Sequence, residues 1–293
     1  MKRKWIRWVS WILLTPIILF VILMVLLYVP PVQNLLRREV TAYASKATGM
    51  QIQVERIDLR FPLNLLVRGV EVIQQPDTLL SLESLNVRVQ AWPLIKGKVE
   101  VDEVTLSRVA VNSADLMEGM KIKGVLGRFF LQSHGVDLSN ELAVINQVEL
   151  SDTHMQLLMN DTTTTPKDTT ASAPINWKVA LHQLKLKNVS FSMQLPADSM
   201  RMTAHIGEAA INDAQADLKN QYYDLKKFLL LGTSASYDTG TAQPTEGFDA
   251  SHIAVRDIRI ALDSLLYKGR DMNAVIREFT MNERSGLSVT ALT

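Results

Sequence analysis

Hydrophobic and polar residues alternate along most of the chain after Met50, in segments rich in valine, isoleucine and leucine. Such alternation is typical of β-strands that have one buried face and one solvent-exposed face. Clear examples are QIQVERIDLRF (51–61), SLNVRVQAW (84–92), KVEVDEVTLSRVAV (98–111) and KVALHQLKLKNVSFSM (178–193). The pattern therefore predicts that residues 50–293 form a mainly β region.

One hydrophobic spacing recurs within these segments, at offsets 0, 3, 5, 8 and 10 from its first residue. The residues that follow it, with a polar member in two of the sets, are Val101, Val104, Leu106, Val109 and Val111; Ile145, Val148, Leu150, Thr153 and Met155; Leu181, Leu184, Leu186, Val189 and Phe191; and Val255, Ile258, Ile260, Asp263 and Leu265. In a straight strand each step of three reverses the side on which the side chain projects. A β-bulge or bend at each step restores the facing and adds twist. The spacing predicts long, bent strands in a loose repeat; the alternative is chance coincidence among abundant hydrophobic residues.

A helical pattern precedes the strands, in VQNLLRREVTAYASKAT (residues 32–48). The hydrophobic residues on its one face are Val32, Leu35, Leu36, Val40, Tyr43, Ala44 and Ala47, and Gly49 follows as a C-cap. We interpret the segment as a juxtamembrane amphipathic helix that either lies on a membrane surface or packs against the first strands. Weaker patterns suggest one more helix, at residues 117–131 or 221–231.

The longest hydrophobic run covers the 22 residues 8–29, and no charged residue occurs between Arg7 and Arg37. A bilayer core of about 30 Å needs about 20 helical residues, so the run is long enough to span it. The run ends in LLYVPPVQ, which contains no small-x-small cleavage site. These features predict an uncleaved transmembrane signal anchor; a buried core helix is the alternative.

Basic residues precede this run, within a short tail at residues 1–7. They are Lys2, Arg3, Lys4 and Arg7. The positive-inside rule places such residues in the cytoplasm, so the bulk of the chain is predicted to be exported.

Charge and composition narrow the class of protein. The chain has 31 basic and 30 acidic residues, and without the four cations of the tail 27 basic residues remain against 30 acidic ones. This balance predicts no nucleic-acid partner. The absence of cysteine excludes thiol catalysis, zinc–thiolate sites and disulfides. Two polar segments, near residues 160–174 and 236–248, are predicted to be disordered loops.

The chain shows no pattern of catalytic or metal-ligating residues. Its histidines are His134, His154, His182, His205 and His252, and none lies four residues from another. There is also no His-Glu-x-x-His, Gly-x-Ser-x-Gly or Walker sequence. We therefore predict a protein that is not an enzyme and that has no catalytic residues, metal site or cofactor.

Two stretches within residues 46–112 carry a resemblance to a known family. In ATGMQIQVERIDLRFPLNLLVRGVEV a strand is followed by a proline and a Gly-Val turn, and in DTLLSLESLNVRVQAWPLIKGKVEVDEVTLSRVAV a short strand leads through Pro-Leu-Ile-x-Gly into a longer one. Together with the uncleaved anchor, these features resemble the amino-terminal region of the AsmA/TamB superfamily, and its TamB branch most of all. Members of that branch are usually far longer than 293 residues, and the Thr-rich insertion is not one of their hallmarks.

The resemblance implies a single-pass inner-membrane protein whose bulk lies in the periplasm and forms a long, curved, taco-like β-sheet groove lined with apolar side chains. It implies phospholipid transport to the outer membrane, or outer-membrane protein assembly and secretion with a barrel partner of the TamA type. The candidate lining residues are Val99, Val101, Val104, Leu106, Val109, Val111, Leu184, Leu186, Val189 and Phe191. The alternatives are an anchored β scaffold that binds partner proteins without carrying lipid and, last, an anchored hydrolase.

Overall fold

The computed structural model describes residues 29–61, 63–90, 92–93, 100–113, 119–137, 141–160 and 176–290. They form one long helix, α1 (Pro30–Thr48), and one curved, open sheet of twelve strands. The strands are β1 (Gln51–Arg60), β2 (Asn64–Gln74), β3 (Asp77–Val89), β4 (Val101–Asn112), β5 (Met120–Asp137), β6 (Leu142–Met159), β7 (Lys178–Leu195), β8 (Met200–Asp217), β9 (Tyr222–Asp238), β10 (His252–Lys268), β11 (Asp271–Glu283) and β12 (Ser288–Val289). The prediction of a mainly β chain is confirmed.

Some predicted features lie outside the described residues. They are the basic tail with Lys2, Arg3, Lys4 and Arg7, residues 8–28 of the predicted anchor, Val99, and residues 161–174 of the Thr-rich segment. Among the residues that are described, no helix combines the length and hydrophobicity needed to cross a bilayer. The second-helix prediction is wrong, because β5 occupies most of residues 117–131 and β9 most of residues 221–231.

Strands that follow one another in the chain are neighbours in the sheet, from β1 to β12. Adjacent strands are antiparallel except β6 and β7, which pair in parallel from Leu142 with Lys178 to Leu158 with Gln194. Asn160 and Asn176, which flank the undescribed connection, therefore lie at opposite ends of these strands. The strands from β5 to β10 are 17 or 18 residues long, about three times the usual length.

A line of backbone irregularity crosses the sheet at one level, and we call it the Arg108 line. Its residues with positive φ are Gly69, Arg108, Asp152, Asn188, Gly232 and Asp257. Each lies just before the end of a three-residue hydrophobic step, such as the step from Leu106 to Val109. The pairing of β6 with β7 is interrupted at Asp152 and Asn188 but resumes in the same register. The predicted bend at this step of three is therefore confirmed, and neighbouring strands share it.

Polar side chains and glycines support the Arg108 line. Asn188 donates from Nδ2 to Oδ1 of Asp152 at 2.8 Å, and Arg108 forms an ion pair with Glu83. Asn and Asp tolerate the left-handed conformation better than most residues. Gly127 lies opposite Asp152, where an added Cβ would be 2.7 Å from the Cβ of Asp152 and 2.9 Å from its carbonyl oxygen. The close approach of the strands thus requires glycine at this position.

A second line of backbone irregularity lies at the other three-residue step of the hydrophobic spacing, which in β4 runs from Val101 to Val104. Asp213 has a φ of 54° at this level, and the register shifts in β10 on both sides of Leu262. In the hydrophobic spacing β10 departs from the pattern at Asp263, and the structure explains the departure. Leu262 pairs with Phe228 there, whereas Asp263 carries an ion pair with Arg277 at 3.6 Å.

Helix α1 lies along the free edge of β1 and contacts it through polar side chains. Gln33 Nε2 donates to the carbonyl of Leu59 at 3.0 Å, and Arg37 donates to the carbonyl of Glu55 at 2.9 Å. Ser45 Oγ accepts from the backbone N–H of Ile52 at 3.1 Å. Backbone groups at a sheet edge otherwise remain available to other strands. The helix therefore packs against the first strand, but not through the hydrophobic face that its sequence suggested.

The ends of α1 agree closely with the sequence. Pro30 occupies the first turn, two residues before the predicted start, and Gly49 is a left-handed C-cap with a φ of 70°.

The loop from 239 to 251, between β9 and β10, is held by Asp249. Its carboxylate accepts backbone N–H groups of Thr245 at 3.1 Å and of Ser251 at 2.9 Å, and it contacts Nδ1 of His252 at 3.0 Å. These hydrogen bonds lower the pKa of Asp249 to about 2. The segment predicted as disordered near 236–248 overlaps the end of β9, which extends to Asp238. Its remaining residues lie in this loop.

The close approach at Gly127 leads to a stability prediction. Gly127→Ala should lower the free energy of unfolding by about 1–3 kcal/mol, because the new methyl group meets backbone atoms that cannot move away. Gly124→Ala is the control on the same strand, since its nearest neighbour is the flexible side chain of Met155 and its closest backbone atom, the carbonyl oxygen of His154, is 3.1 Å away. Urea denaturation of the full chain measures both, and an equal loss in the two variants contradicts the explanation.

Candidate functional site

Cross-strand pairing aligns the hydrophobic positions into rows that run across the sheet. The Leu106 row contains Ile57, Val67, Leu85, Leu106, Phe129, Leu150, Leu186, Ala209, Leu230, Ile260 and Phe279. The Val104 row contains Leu59, Leu65, Val87, Val104, Leu131, Val148, Leu184, Ile211, Phe228, Leu262 and Ile276. Paired residues of neighbouring strands project on the same face. Each row is therefore an unbroken apolar strip from β1 to β11.

A third strip, the Val109 row, lies across the Arg108 line from these two. Its members are Val54, Val70, Leu82, Val109, Leu126, Thr153, Val189, Ile206, Thr233 and Ile258. Strand β10 shows that it shares a face with the Leu106 row. Ile258 and Ile260 are two residues apart in β10, and they pair with Thr233 and Leu230. The three rows thus form one surface, which we call the apolar face.

The two threonines of the Val109 row do not interrupt its apolar character. Thr153 and Thr233 are both buried. The Oγ1 of Thr153 donates to the carbonyl of Ser151 at 3.2 Å, and that of Thr233 to the carbonyl of Leu231 at 3.4 Å. Each hydroxyl forms its hydrogen bond within its own strand, so the threonine contributes its methyl group to the row.

The structure brings the predicted lining residues together on this face. Those within the described residues are Val101, Val104, Leu106, Val109, Val111, Leu184, Leu186, Val189 and Phe191. The β4 residues share rows with the β7 residues, as Val104 does with Leu184 and Leu106 with Leu186. None of them is buried, and Phe191 is 41% exposed. They line an open surface and not the interior of a closed core.

Sequence reasoning missed the contributions of several strands to this surface. In β9, Leu225, Phe228, Leu230, Thr233 and Ala235 follow the same 3-2-3-2 spacing as β4, and this signal could have identified them. It was overlooked because residues 221–231 also fit a helical pattern. In β8 the corresponding residues include Ala204, Ala209 and Ala214, which are too small to stand out in a hydrophobic pattern.

The apolar face is uncovered in the part of the chain that the structure describes, where no helix or second sheet packs over it. The buried hydrophobic residues there are Leu79, Leu82, Ala143, Leu195, Ala209 and Ala261. A depression of about 200 Å³ opens on this face, and its lining includes Phe191, Met202, Ala204, Tyr237 and Val255. The face is therefore a curved trough with half-exposed aliphatic walls.

Methionines concentrate at one end of the trough, at the Phe191 level and beyond it. They are Met120, Met155, Met159, Met193, Met200 and Met202, on β5 to β8. Met120 pairs with Met159, and Met193 pairs with Met202. Because methionine side chains are flexible and polarizable, this end of the trough can adapt its shape more readily than the rows of valine and leucine.

The opposite face of the sheet is mainly polar. At the level between the Leu106 and Val109 rows it carries Arg68, Ser84, Ser107, Arg128, Ser151, Lys187 and Glu208. Ion pairs join neighbouring strands there, including Arg88 to Glu103 at 3.1 Å. Within the described ranges no three metal-ligating side chains cluster. Of the histidines, His182 contacts Asp213 at 3.1 Å and His205 contacts Ser190 at 3.0 Å.

Comparison with known proteins does not identify a family for this chain. No protein-family model matches the chain, and no curated protein matches it.

The threonine geometry gives a prediction about the Val109 row. Thr153→Val should leave the free energy of unfolding nearly unchanged, because the hydroxyl serves only a carbonyl of its own strand. Thr153→Ser should lower it by about 1 kcal/mol, since it removes the methyl group from the row. Chemical denaturation of the full chain separates the two effects. A larger loss for valine than for serine means that the hydroxyl, and not the methyl group, is the important part.

Proposed function

We propose that the chain is an inner-membrane-anchored periplasmic protein of the AsmA/TamB type, whose apolar face carries phospholipid towards the outer membrane. The observation that supports this most directly is the set of unbroken apolar rows across β1 to β11, which none of the described residues covers on one side of the sheet. The predicted anchor at residues 8–29 and the family resemblance supply the location. Support of outer-membrane protein assembly and secretion, with a barrel partner of the TamA type, is part of the same proposal.

The energetics of acyl-chain burial favour such a cargo. Each CH₂ group transferred from water to an apolar surface gains roughly 0.8 kcal/mol, so a 16-carbon chain gains on the order of 10 kcal/mol. The rows consist of aliphatic and phenylalanine side chains apart from Thr153 and Thr233, whose hydroxyls bond carbonyls of their own strands, so they offer little that would fix one position. A bound chain is therefore held strongly but can slide, while its headgroup stays in water at the open side of the trough.

The length of the trough supports transport more than storage of a single lipid. Ten interstrand spacings of about 4.8 Å separate β1 from β11, which gives a trough of about 48 Å. One leaflet of a 30 Å hydrocarbon core is only about 15 Å thick, and this is the reach of one acyl chain. The rows thus continue well beyond the length of one cargo molecule. Movement along them needs no catalytic residue.

A second candidate function is a scaffold that binds partner proteins without carrying lipid. The observation that favours it is the outer edge of β11. This edge pairs with β12 only at Met281 and Asn282, and the described residues place no strand beside Asp271 to Thr280. An unpaired edge of this kind can accept a strand from another protein. The scaffold hypothesis predicts no lipid on the apolar face.

Substitutions on β4 test the lipid proposal. Val104→Asp combined with Leu106→Asp places two charges in adjacent apolar rows, and we expect at least a tenfold loss of captured phospholipid. Photo-crosslinking from Leu186, in the Leu106 row, measures the captured lipid in cells.

The matched control uses the interleaved positions of the same strand. Thr105→Asp combined with Ser107→Asp adds the same charges to the polar face and should leave capture unchanged. Equal crosslinking in the two double variants, with both chains folded and inserted, would rule out the apolar face as the lipid site. Absence of lipid even in the unmodified chain would favour the scaffold hypothesis.

A further inference from the structure

Helix α1 has two sides of different character. The side against β1 carries the polar contacts of Gln33, Arg37 and Ser45. The other side exposes large apolar side chains, which we call the Leu36 stripe: Leu35, Leu36, Val40 and Tyr43, with Leu35 58% and Tyr43 77% exposed. The contacts that cap the edge of the sheet do not involve the stripe. Its exposure therefore indicates a contact with something outside the sheet.

The charges around the stripe fit a phospholipid surface. Arg37 is bonded to β1, and among the remaining charges of α1 Arg38 and Lys46 outnumber Glu39, its one acidic residue. Lys46 follows the stripe in the last turn, and its long side chain can reach from an apolar surface to lipid phosphate. A helix with an apolar stripe and a basic balance is typical of segments that lie in the interface of a bilayer.

The anchor predicted at residues 8–29 would place α1 beside a membrane. The apolar run of residues 8–29 is long enough to span a bilayer, and α1 begins at the next residue, Pro30. A span that ends at Val29 leaves the first turn of α1 at the membrane surface. The helix is about 28 Å long, and its first turn keeps it close to that surface. Four side chains are also far fewer than the 20–30 residues that a stable protein interface usually involves on each side.

We propose that the Leu36 stripe lies in the headgroup region of the membrane from which the chain emerges. The inference rests on the anchor of the proposed function. Because α1 is bonded to the edge of β1, the stripe holds that edge about one helix diameter, roughly 10 Å, from the bilayer surface. Val54, Ile57 and Leu59 then begin the apolar rows next to the membrane. The β1 end of the trough is the end at which lipid enters.

Site-specific fluorescence tests the position of the stripe. The chain contains no cysteine, so Leu36→Cys or Tyr43→Cys gives a single site for an environment-sensitive dye. The labelled full chain is placed in vesicles of zwitterionic and anionic phospholipids that include a lipid with a bromine-labelled acyl chain. Asn34→Cys is the matched control, because Asn34 is exposed on the same helix but outside the stripe. We expect at least twofold stronger quenching at positions 36 and 43 than at 34.

The outcomes separate this inference from the proposed function. Equal quenching at 34, 36 and 43 overturns the inference, even if lipid is still crosslinked from Leu186 in the same vesicles. Selective quenching at 36 and 43 supports it, even if no lipid reaches Leu186, in which case the transport proposal fails instead. In a second variant, Leu36→Asp with Tyr43→Asp should abolish the quenching of a dye at Val40→Cys.

Discussion

The structure depends on one constraint. The three-residue steps, each of which adds one residue to the period of two, must lie at the same level in every strand. A strand alternates sides with a period of two, so one missing bend would turn all later hydrophobic side chains towards the polar face. The Arg108 line prevents this, because Asp152 and Asn188 take the left-handed conformation side by side. Gly127 keeps the adjacent strand close enough to remain paired. The apolar face exists only because these bends agree.

Leaving an apolar face of this size in water costs free energy, and this points to a binding role for the face. Soluble monomers rarely expose apolar patches larger than a few hundred Å². Here the three rows run from β1 to β10 or β11, and the described residues provide no second layer over them. Backbone pairing and lateral contacts within the rows hold the sheet together, while its apolar face stays open. Such a surface is suited to a cargo that covers it in part and moves.

The sequence predicted those features that local spacing encodes. The steps of three around Leu106 and Val109 were sufficient to predict bends, and the β4 and β7 lining residues proved to share rows. The parallel pairing of β6 with β7 could not be read in the same way, because pairing direction depends on a long connection and not on either strand. The docking side of α1 was missed because Gln33, Arg37 and Ser45 carry no hydrophobic signal.

The two edges of the sheet differ, and this difference gives the trough a direction. At β1, side chains of α1 bond the free backbone groups, so another strand cannot add there without displacing the helix. At β11, only Met281 and Asn282 have strand partners on the outer side among the described residues. The β11 edge also carries Ile276 and Phe279, which end the Val104 and Leu106 rows. Any strand that joined this edge with apolar residues in register would lengthen the same rows, so the apolar face can grow only away from α1.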